Sequence, residues 1–361
     1  MQNLVKAYID LSAIEFNFLK IKNSLDPGIK ICPVIKADAY GHGAAEVAKV
    51  LEKNGADYLA VISCEEGVTL REAGIKTKIL VMGAIMPYHI KDIVKYELEQ
   101  AIFNQDNLIL LNEEAKRQNK IAKIQLKLDT GLHRLGIDNK EDLVSILKLI
   151  KTLQNVELTG AMSHFAMTDT DEFSEIQAKR FIEFRNIIKQ EGFNPIFHQA
   201  NTDNIGFGHD FDMVRTGIAL FGYSGALKGL KPALSLKTNV VQIKQLKKGE
   251  GVSYGLTFIA DRDLEIAILP VGYSDGYLRS YAKDGKILIN GNYCPILGRI
   301  CMNMMIVDIT SIDVKLYDEA ILIGVSKDNA IWADEIAKRA NTISYEVLTS
   351  IAHRVPRIYL V

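Results

Sequence analysis

Lys36 is the first residue whose type and position could serve chemistry, because it ends the apolar run in VIKADAYGHG at 34–43. An unpaired ammonium group in apolar surroundings is costly, so such a lysine either reaches solvent or has a function. A buried lysine with a lowered pKa is a ready amine nucleophile for a Schiff base. Gly41 and Gly43 indicate a tight turn behind it.

Further polar residues stand at or just after the ends of predicted strands. They are Asp129, Arg134, His164, Asn201, Thr202 and Arg215, and Gly217 follows two residues after Arg215. Each alone has an ordinary explanation, such as a structural histidine or a peripheral ion pair. Scattered surface charges, however, have no reason to collect at one end of several strands. Their shared placement therefore predicts an active site.

These residues must be positioned by the elements that precede them. Eight short apolar runs are predicted as strands: 31–36, 58–62, 78–82, 99–103, 123–128, 157–162, 196–199 and 213–220. Helical periodicity separates most of them, at 44–53, 65–73, 105–119, 140–153 and 173–191. Strict alternation implies right-handed crossovers and a parallel sheet. Eight units in about 230 residues match a TIM barrel, whose active site lies at the C-terminal ends of its strands.

The pattern changes after residue 229 to β-rich runs with glycine-containing turns, at 236–245, 264–269, 286–289 and 304–309. Only 332–341 has a clear helical pattern there. We therefore expect an α/β fold, with an N-terminal (β/α)8 TIM barrel domain at 1–229 and a mainly β C-terminal domain at 230–361.

Composition argues against several classes of protein. The chain has 361 residues, of which 48% are hydrophobic, enough for two cores. Its 43 basic and 44 acidic residues give a net charge of -1, so neither nucleic acid nor a membrane surface is an expected partner. The cysteines lack CxxC spacing, so no disulfide framework or metal site is expected. Without a signal peptide pattern or an apolar span, the expected location is cytoplasmic.

VIKADAYGHG resembles the cofactor-lysine signature of the alanine racemases, pyridoxal-phosphate enzymes built from a barrel and a C-terminal β domain. The resemblance continues, in order, with KLDTGLHRLG at 127–136, MSHFAMTD at 162–169, RTGIALFG at 215–222, VSYG at 252–255, VGYSDG at 271–276, GRICMN at 298–303 and SYEVLTSIAHRVPRIY at 344–359. One such motif would be weak, whereas this ordered set is highly specific.

The resemblance implies a role for each matching residue. Lys36 would hold the aldehyde of pyridoxal phosphate as a Schiff base and then act as one catalytic base. Arg215 would face the pyridine nitrogen; because arginine cannot accept a proton, that nitrogen stays unprotonated and the ring is a weaker electron sink. The other implied cofactor-binding residues are Tyr40, His164, Asn201, Thr202, Gly217, Ile218 and Tyr345, with Thr202 standing where serine is commoner.

Racemisation needs a second base on the opposite face of the substrate. In the family it is a tyrosine of the neighbouring subunit, which maps to Tyr254, so the resemblance implies a homodimer with shared active sites. A tyrosine is a poor base at neutral pH unless its surroundings favour the phenolate. His164 and Arg215 are candidates for the polar network that does so.

Arg134 would bind the cofactor's phenolic oxygen and the substrate carboxylate, and Met302 would offer its backbone amide to that carboxylate. Lys127 matches a lysine that is often carbamylated and orients the arginine. The access corridor maps to Asp169, Tyr273, Arg279, Arg299 and Ile343. Asn303 departs from the family, because an aspartate is usual there, and it removes one negative charge near the carboxylate site and corridor.

The resulting prediction is an alanine racemase that interconverts L-alanine and D-alanine and supplies peptidoglycan precursors. Tyr345 and Tyr254 would narrow the pocket in favour of alanine, although activity on serine stays open. A decarboxylase of the same barrel architecture is an alternative, but it should place an acid where Arg215 stands. A non-catalytic pyridoxal-phosphate carrier would lack the β domain with Tyr254.

Overall fold

The computed structural model describes residues 4–167 and 172–361, which divide into two compact units. The first, called the β unit, contains the described chain up to Ala13, then Tyr40–Gly43 and Pro232–Val361. The second, called the barrel unit, contains Ile14–Ala39 and Ala44–Lys231.

Strands and helices alternate through the barrel unit, whereas strands predominate in the β unit. The strands are β1 (Lys6–Asp10), β2 (Lys30–Pro33), β3 (Tyr58–Val61), β4 (Lys78–Val81), β5 (Glu99–Ile102), β6 (Ala122–Lys127), β7 (Val156–Met162), β8 (Ile196–His198), β9 (Met213–Thr216), β10 (Leu234–Asn239), β11 (Gln242–Leu246), β12 (Gly251–Val252), β13 (Phe258–Ile259), β14 (Leu264–Leu269), β15 (Lys286–Ile289), β16 (Asn292–Pro295), β17 (Met305–Asp308), β18 (Glu319–Ser326), β19 (Asn329–Ile331) and β20 (Arg357–Leu360). The helices are α1 (Leu11–Lys22), α2 (Lys36–Gly41), α3 (Ala44–Lys53), α4 (Cys64–Glu72), α5 (Ile90–Lys95), α6 (Gln105–Arg117), α7 (Lys140–Thr152), α8 (Glu172–Gln190), α9 (Ala333–Ala340) and α10 (Ser344–Thr349).

The barrel unit is built from parallel strands. β3 to β8 form a six-stranded sheet in sequence order, and β2 pairs with β9. A parallel bridge between Val34 and Ala60 joins β2 to β3, and the Arg215 amide donates to the Ala200 carbonyl beside β8 and β9. The ring of strands is thereby closed, and the predicted α/β barrel fold is confirmed.

Three helices of the barrel unit, α4, α6 and α7, begin behind a side chain that caps a free backbone N–H group. Ser63 accepts from the Glu66 amide at the start of α4, and Asn104 accepts from the Asn107 amide at the start of α6. The strands between them are buried on both faces, as expected for a parallel sheet covered by helices.

The β unit contains a sheet in the order β16-β15-β18-β10-β1-β20, with β19 paired to β18, and a smaller sheet β11-β14-β17. β10 alternates buried and less buried residues, the pattern of a strand with one face on a core. β1, from the start of the chain, pairs antiparallel with β10 and parallel with β20. β1 lies within residues 1–229, which the sequence analysis assigned to the barrel domain. The domain boundary at residue 229 stays a prediction.

Several predicted boundaries need correction. Lys36 does not end a strand, because β2 stops at Pro33 and Lys36 begins α2. α2 is a left-handed turn, with φ of 50° at Ala37, 52° at Asp38 and 54° at Tyr40. The last barrel strand stops at Thr216, and a 3₁₀ turn follows at Ile218–Phe221. The predicted strand at 236–245 is two strands, and α10 follows α9 as a second helix that the sequence pattern did not reveal.

No helix within residues 4–167 and 172–361 combines the length and apolar character needed to cross a membrane.

Candidate active site

Lys36 opens the left-handed turn that follows the first barrel strand. The carboxylate of Glu66 fixes the turn, because it accepts from the Ala37 amide at 2.6 Å and from the Ile62 amide at 2.8 Å. Burial and the charge of Arg134 lower the pKa of Lys36, and Glu66 opposes them only in part. The amine therefore loses its proton more readily than an ordinary lysine, as a nucleophile requires.

Arg215 is 2% exposed and is held by the ends of neighbouring strands. Its Nη1 donates to His198 Nδ1 at 2.7 Å, and its Nη2 donates to His164 Nδ1 at 3.1 Å and to the Ser163 carbonyl at 2.6 Å. Burial lowers its pKa to about 10, so it stays charged at neutral pH.

The two histidines beside Arg215 are neutral. Burial first, and then the charge of Arg215, hold the pKa of both His164 and His198 well below the usual range. Because arginine only donates, each Nδ1 must accept, and the proton of each neutral ring sits on Nε2. The geometry thus selects one tautomer for both rings.

Lys127 is 7% exposed at the end of β6. Burial, followed by the charges of Arg215 and Arg134, lowers the pKa of Lys127 to about 7. A large part of its amine is therefore neutral under physiological conditions.

The loop after β6 brings Arg134 to the same end of the barrel. Asp129 accepts from the backbone amides of Gly131, His133 and Arg134 at 2.9, 3.0 and 2.9 Å. Burial alone would raise the pKa of Asp129, but these three amides outweigh it and lower the pKa. The carboxylate shapes the loop that carries the exposed Arg134 side chain.

Thr202 and Gly217 meet at the same end of the barrel unit. Thr202 begins a 3₁₀ turn behind Asn201, and Gly217 precedes the 3₁₀ turn that begins at Ile218. The Gly217 amide donates to Thr202 Oγ1 at 2.8 Å. A hydroxyl and amides at the starts of helical turns are suited to an anion.

In the β unit, Tyr40 and Tyr345 lie together although they are far apart in sequence. Their ring centroids are 5.7 Å apart and the ring planes make an angle of 55°. Tyr40 is buried, and Tyr345, which lies on α10, is 36% exposed.

Tyr254 is 74% exposed and begins a 3₁₀ turn of the β unit. Ser253 before it donates through Oγ to the Arg299 carbonyl at 2.6 Å. A Cβ atom at Gly255 would lie 3.2 Å from Arg299 Nη1, so Arg299 runs directly beside this turn. The structure thus brings one predicted corridor residue next to the predicted second base.

Met302 is held through its carbonyl, which accepts from the Ser274 amide at 3.0 Å and from Ser274 Oγ at 2.7 Å. Asn303 Nδ2 donates to the same Ser274 Oγ at 2.8 Å. Tyr273 is the neighbour of Ser274, so a second corridor residue adjoins Met302.

The remaining corridor residues are not brought to these contacts. Arg279 begins its own 3₁₀ turn, and Ile343 is 60% exposed before α10. Asp169 lies outside the described residues.

Sequence reasoning missed the buried polar residues behind Arg215, namely His198, Gln125 and Glu99. They are 0%, 0% and 2% exposed. A signal did exist, since Gln125 interrupts one of the runs that were predicted as buried strands and Glu99 begins another. Such residues are rarely fully buried without partners.

Comparisons with known proteins match nearly the whole length of the chain. The family described as alanine racemase, N-terminal domain, matches residues 9–225, and alanine racemase, C-terminal domain, matches residues 233–359. An alanine racemase of Halothermothrix orenii is 40% identical over 98% of this chain and 96% of its own. An alanine racemase of Thermodesulfovibrio yellowstonii is 39% identical over 100% and 99%. The structure of an alanine racemase of Clostridium difficile 630 has a TM-score of 0.94 at 38% identity, covering 100% of this chain and 96% of that chain.

Proposed function

The chain belongs to the alanine racemase family, and we propose that it interconverts L-alanine and D-alanine, with Lys36 and Tyr254 moving the α-proton. The observation that carries the assignment of Lys36 is its lowered pKa at the end of the barrel where Arg134 and Arg215 also lie. The decarboxylase alternative is not favoured, because we assign the buried Arg215 to the ring nitrogen, where a decarboxylase should place an acid.

We propose pyridoxal phosphate as the cofactor, because the donor set at the barrel end fits it. Lys36 offers an amine, Arg215 a charged donor, and Thr202 a hydroxyl proton for a phosphate, since the oxygen of that hydroxyl already accepts from the Gly217 amide. When bound, this cofactor supplies an aldehyde for the substrate amine and an electron-poor ring that acidifies the α-proton.

Proton transfer then falls to two side chains on opposite faces of the substrate. Lys36 Nζ takes or returns the α-proton on one face, and Tyr254 Oη serves the other. Burial and the charge of Arg134 lower the pKa of Lys36, so its amine gives up its proton more readily than an ordinary lysine and can then accept one. His164, whose ring proton sits on Nε2, is the donor we assign to the network around Tyr254.

Arg215 controls the outcome of the reaction through its charge. It cannot accept a proton, and its hydrogen bonds to two histidines and to the Ser163 carbonyl hold it in one orientation. Placed against the ring nitrogen of the cofactor, Arg215 would keep that nitrogen unprotonated, and the weaker electron sink would favour simple return of the proton.

Substrate binding and assembly complete the proposal. We assign the substrate carboxylate to Arg134 and to the backbone of Met302. Since Tyr254 is 74% exposed in the single chain, we assign it to the site of a second copy, which makes the enzyme a homodimer. Supply of peptidoglycan precursors and a cytoplasmic location stay predictions from the family resemblance.

The test begins with the visible absorbance of the purified protein, followed by circular dichroism during incubation with L-alanine. Loss of the L-alanine signal towards zero is expected. Borohydride should then fix the cofactor to the peptide that contains Lys36. Lys127 is the internal control, because it is a second lysine with a lowered pKa in the same cluster. Labelling at Lys127, or no change of the dichroism, contradicts the proposal.

A further inference from the structure

A line of hydrogen bonds continues from Arg215 into the interior of the barrel unit. Beyond the bond from Arg215 Nη1 to His198 Nδ1, the other ring nitrogen of His198 lies 2.7 Å from Gln125 Oε1. Gln125 Nε2 donates in turn to Glu99 Oε2 at 2.9 Å. All four side chains are at most 2% exposed, so water does not compete with these bonds.

The hydrogen bonds of this line all run in one direction, from the donor Arg215 to the acceptor Glu99. Arginine only donates and a carboxylate only accepts, so the two ends fix the role of every group between them. Gln125 must turn its amide nitrogen to Glu99 and its oxygen to His198. That oxygen can only accept, which places the ring proton of His198 on Nε2 and leaves Nδ1 free to accept from Arg215.

The two ends carry opposite charges that do not touch. No carboxylate of residues 4–167 and 172–361 forms an ion pair with Arg215, and no cation of the same residues forms one with Glu99. Glu99 is satisfied instead by Gln125 Nε2, by Thr159 Oγ1 at 2.8 Å and by Tyr58 Oη at 3.3 Å. A buried charge needs such compensation.

We propose that Glu99 and Gln125 are positioning residues of the racemase reaction, which fix the tautomer of His198 and thereby the orientation of Arg215. In the other tautomer, a ring N–H would face an Arg215 N–H at the distance of the present hydrogen bond. That donor pair would displace the guanidinium. This inference rests on the proposed role of Arg215 against the cofactor ring.

The test replaces the central amide, as Gln125→Met, and reads the His198 ring directly. The holoenzyme is labelled with ¹⁵N-histidine, and the His198 signals are assigned by their loss in His198→Asn. In the wild type, Nδ1 should be unprotonated and Nε2 protonated. In Gln125→Met only the bond from Arg215 still favours the Nε2 tautomer, so the other tautomer should appear beside it. In the same variant kcat should fall about ten- to a hundredfold with little change in KM, the worth of a hydrogen bond to a charged group.

Thr159→Val is the matched control, because it also removes a donor from Glu99 but lies outside the line. It should leave the His198 signals and kcat as in the wild type. If it changes both as much as Gln125→Met does, the line has only a structural role and the proposal is wrong.

Glu99→Gln keeps the shape of the side chain and serves if Gln125→Met does not fold. It keeps an acceptor for Gln125 but removes the charged end, so the Nδ1 signal should shift and kcat should fall less than in Gln125→Met. A wild-type His198 with its proton on Nδ1, or a Glu99→Gln variant identical to wild type in signals and kcat, overturns the proposal. If the protein does not racemise alanine at all, the function proposed above fails, while the tautomer measurement is unaffected.

Discussion

The predicted functional residues of the two units differ in how the chain holds them. In the barrel unit, Arg215 is 2% and Lys127 7% exposed, and the hydrogen bonds of Arg215 are made within the unit. In the β unit, Tyr254 is 74% and Met302 55% exposed. Burial sets the protonation of the first group before any ligand arrives. Tyr254 and Met302 become buried only when another protein surface packs on them. This is the physical reason for assigning them to the active site of a second subunit.

The mixed dimer tests this difference most strongly. Lys36→Ala and Tyr254→Phe homodimers should each lose activity by about 10²–10⁴-fold or more, because each lacks one proton-transfer group. Refolding an equal mixture should restore about a quarter of wild-type activity, since about half of the dimers are mixed and each contains one intact site. Racemisation is followed by circular dichroism.

Separately refolded parents are the control for this experiment. Verified mixed dimers as inactive as the parents would show that Tyr254 does not act across the subunit boundary, and the comparison between the units would lose its explanation.

Arg215→Glu should give the next largest loss of racemisation. The buried carboxylate cannot donate to His198, His164 or the Ser163 carbonyl, and it allows protonation of a ring nitrogen facing it. Racemisation should fall about 10²–10³-fold, as when a preorganised donor is removed, and pyruvate should appear as a side product. Arg262→Glu is the matched exchange at an exposed position of the β unit, and its activity should stay within about twofold of wild type. If Arg215→Glu and Arg262→Glu lose the same amount of activity, the burial of Arg215 is not the reason for its effect on racemisation.

The burial of Lys127 predicts a pH dependence, because it lowers the pKa of the amine. Its pKa of about 7 lies below that of a free lysine, so the amine is protonated below this pH and neutral above it. Only the neutral amine reacts with carbon dioxide, so a carbamate signal from ¹³C-bicarbonate should grow as the pH rises through about 7. Lys127→Ala should lower activity about tenfold, because it removes the carbamate that would accept from Arg134.

Lys127→Arg is the control for the carbamate signal, because an arginine stays protonated throughout this range. A carbamate signal of the same size in Lys127→Arg would assign the modification to another lysine.

Asn303→Asp should give the smallest effect. An aspartate cannot donate to Ser274 Oγ, which also binds the Met302 carbonyl. The Met302 backbone should shift slightly, with KM for alanine changed about two- to tenfold and kcat nearly constant. Steady-state kinetics of Asn303→Asp, Ser274→Ala and the double variant measure the coupling. A large loss of kcat alone would place Asn303 among the groups that act on the proton.

Much of the fold followed from sequence because the barrel strands are short apolar runs bounded by helical periodicity. The α/β barrel and the family resemblance were confirmed, and most element ends were within a few residues. α10 was missed because six residues are too few to show a helical period. The sequence prediction placed Lys36 on a strand, because local propensity does not predict a left-handed turn in residues other than glycine.

The site followed less completely. The rule that polar residues after barrel strands face the active end singled out Lys36 and Arg215. It could not find His198, Gln125 and Glu99, because they point into the barrel from within apolar strands. Nor could any spacing rule pair Tyr40 with Tyr345, whose contact exists only after the β unit has formed.

The left-handed turn behind Lys36 limits where this motif can be used. Residues Ala37, Asp38, Ala39 and Tyr40 all have φ between 50° and 54°. At about 1–2 kcal/mol for each residue, an isolated peptide of this sequence would reject the shape. Glu66, from a different helix, helps to impose it. Grafting VIKADAYGHG onto another barrel would therefore transfer the lysine without its geometry, and a designer would have to transplant the surrounding fold as well.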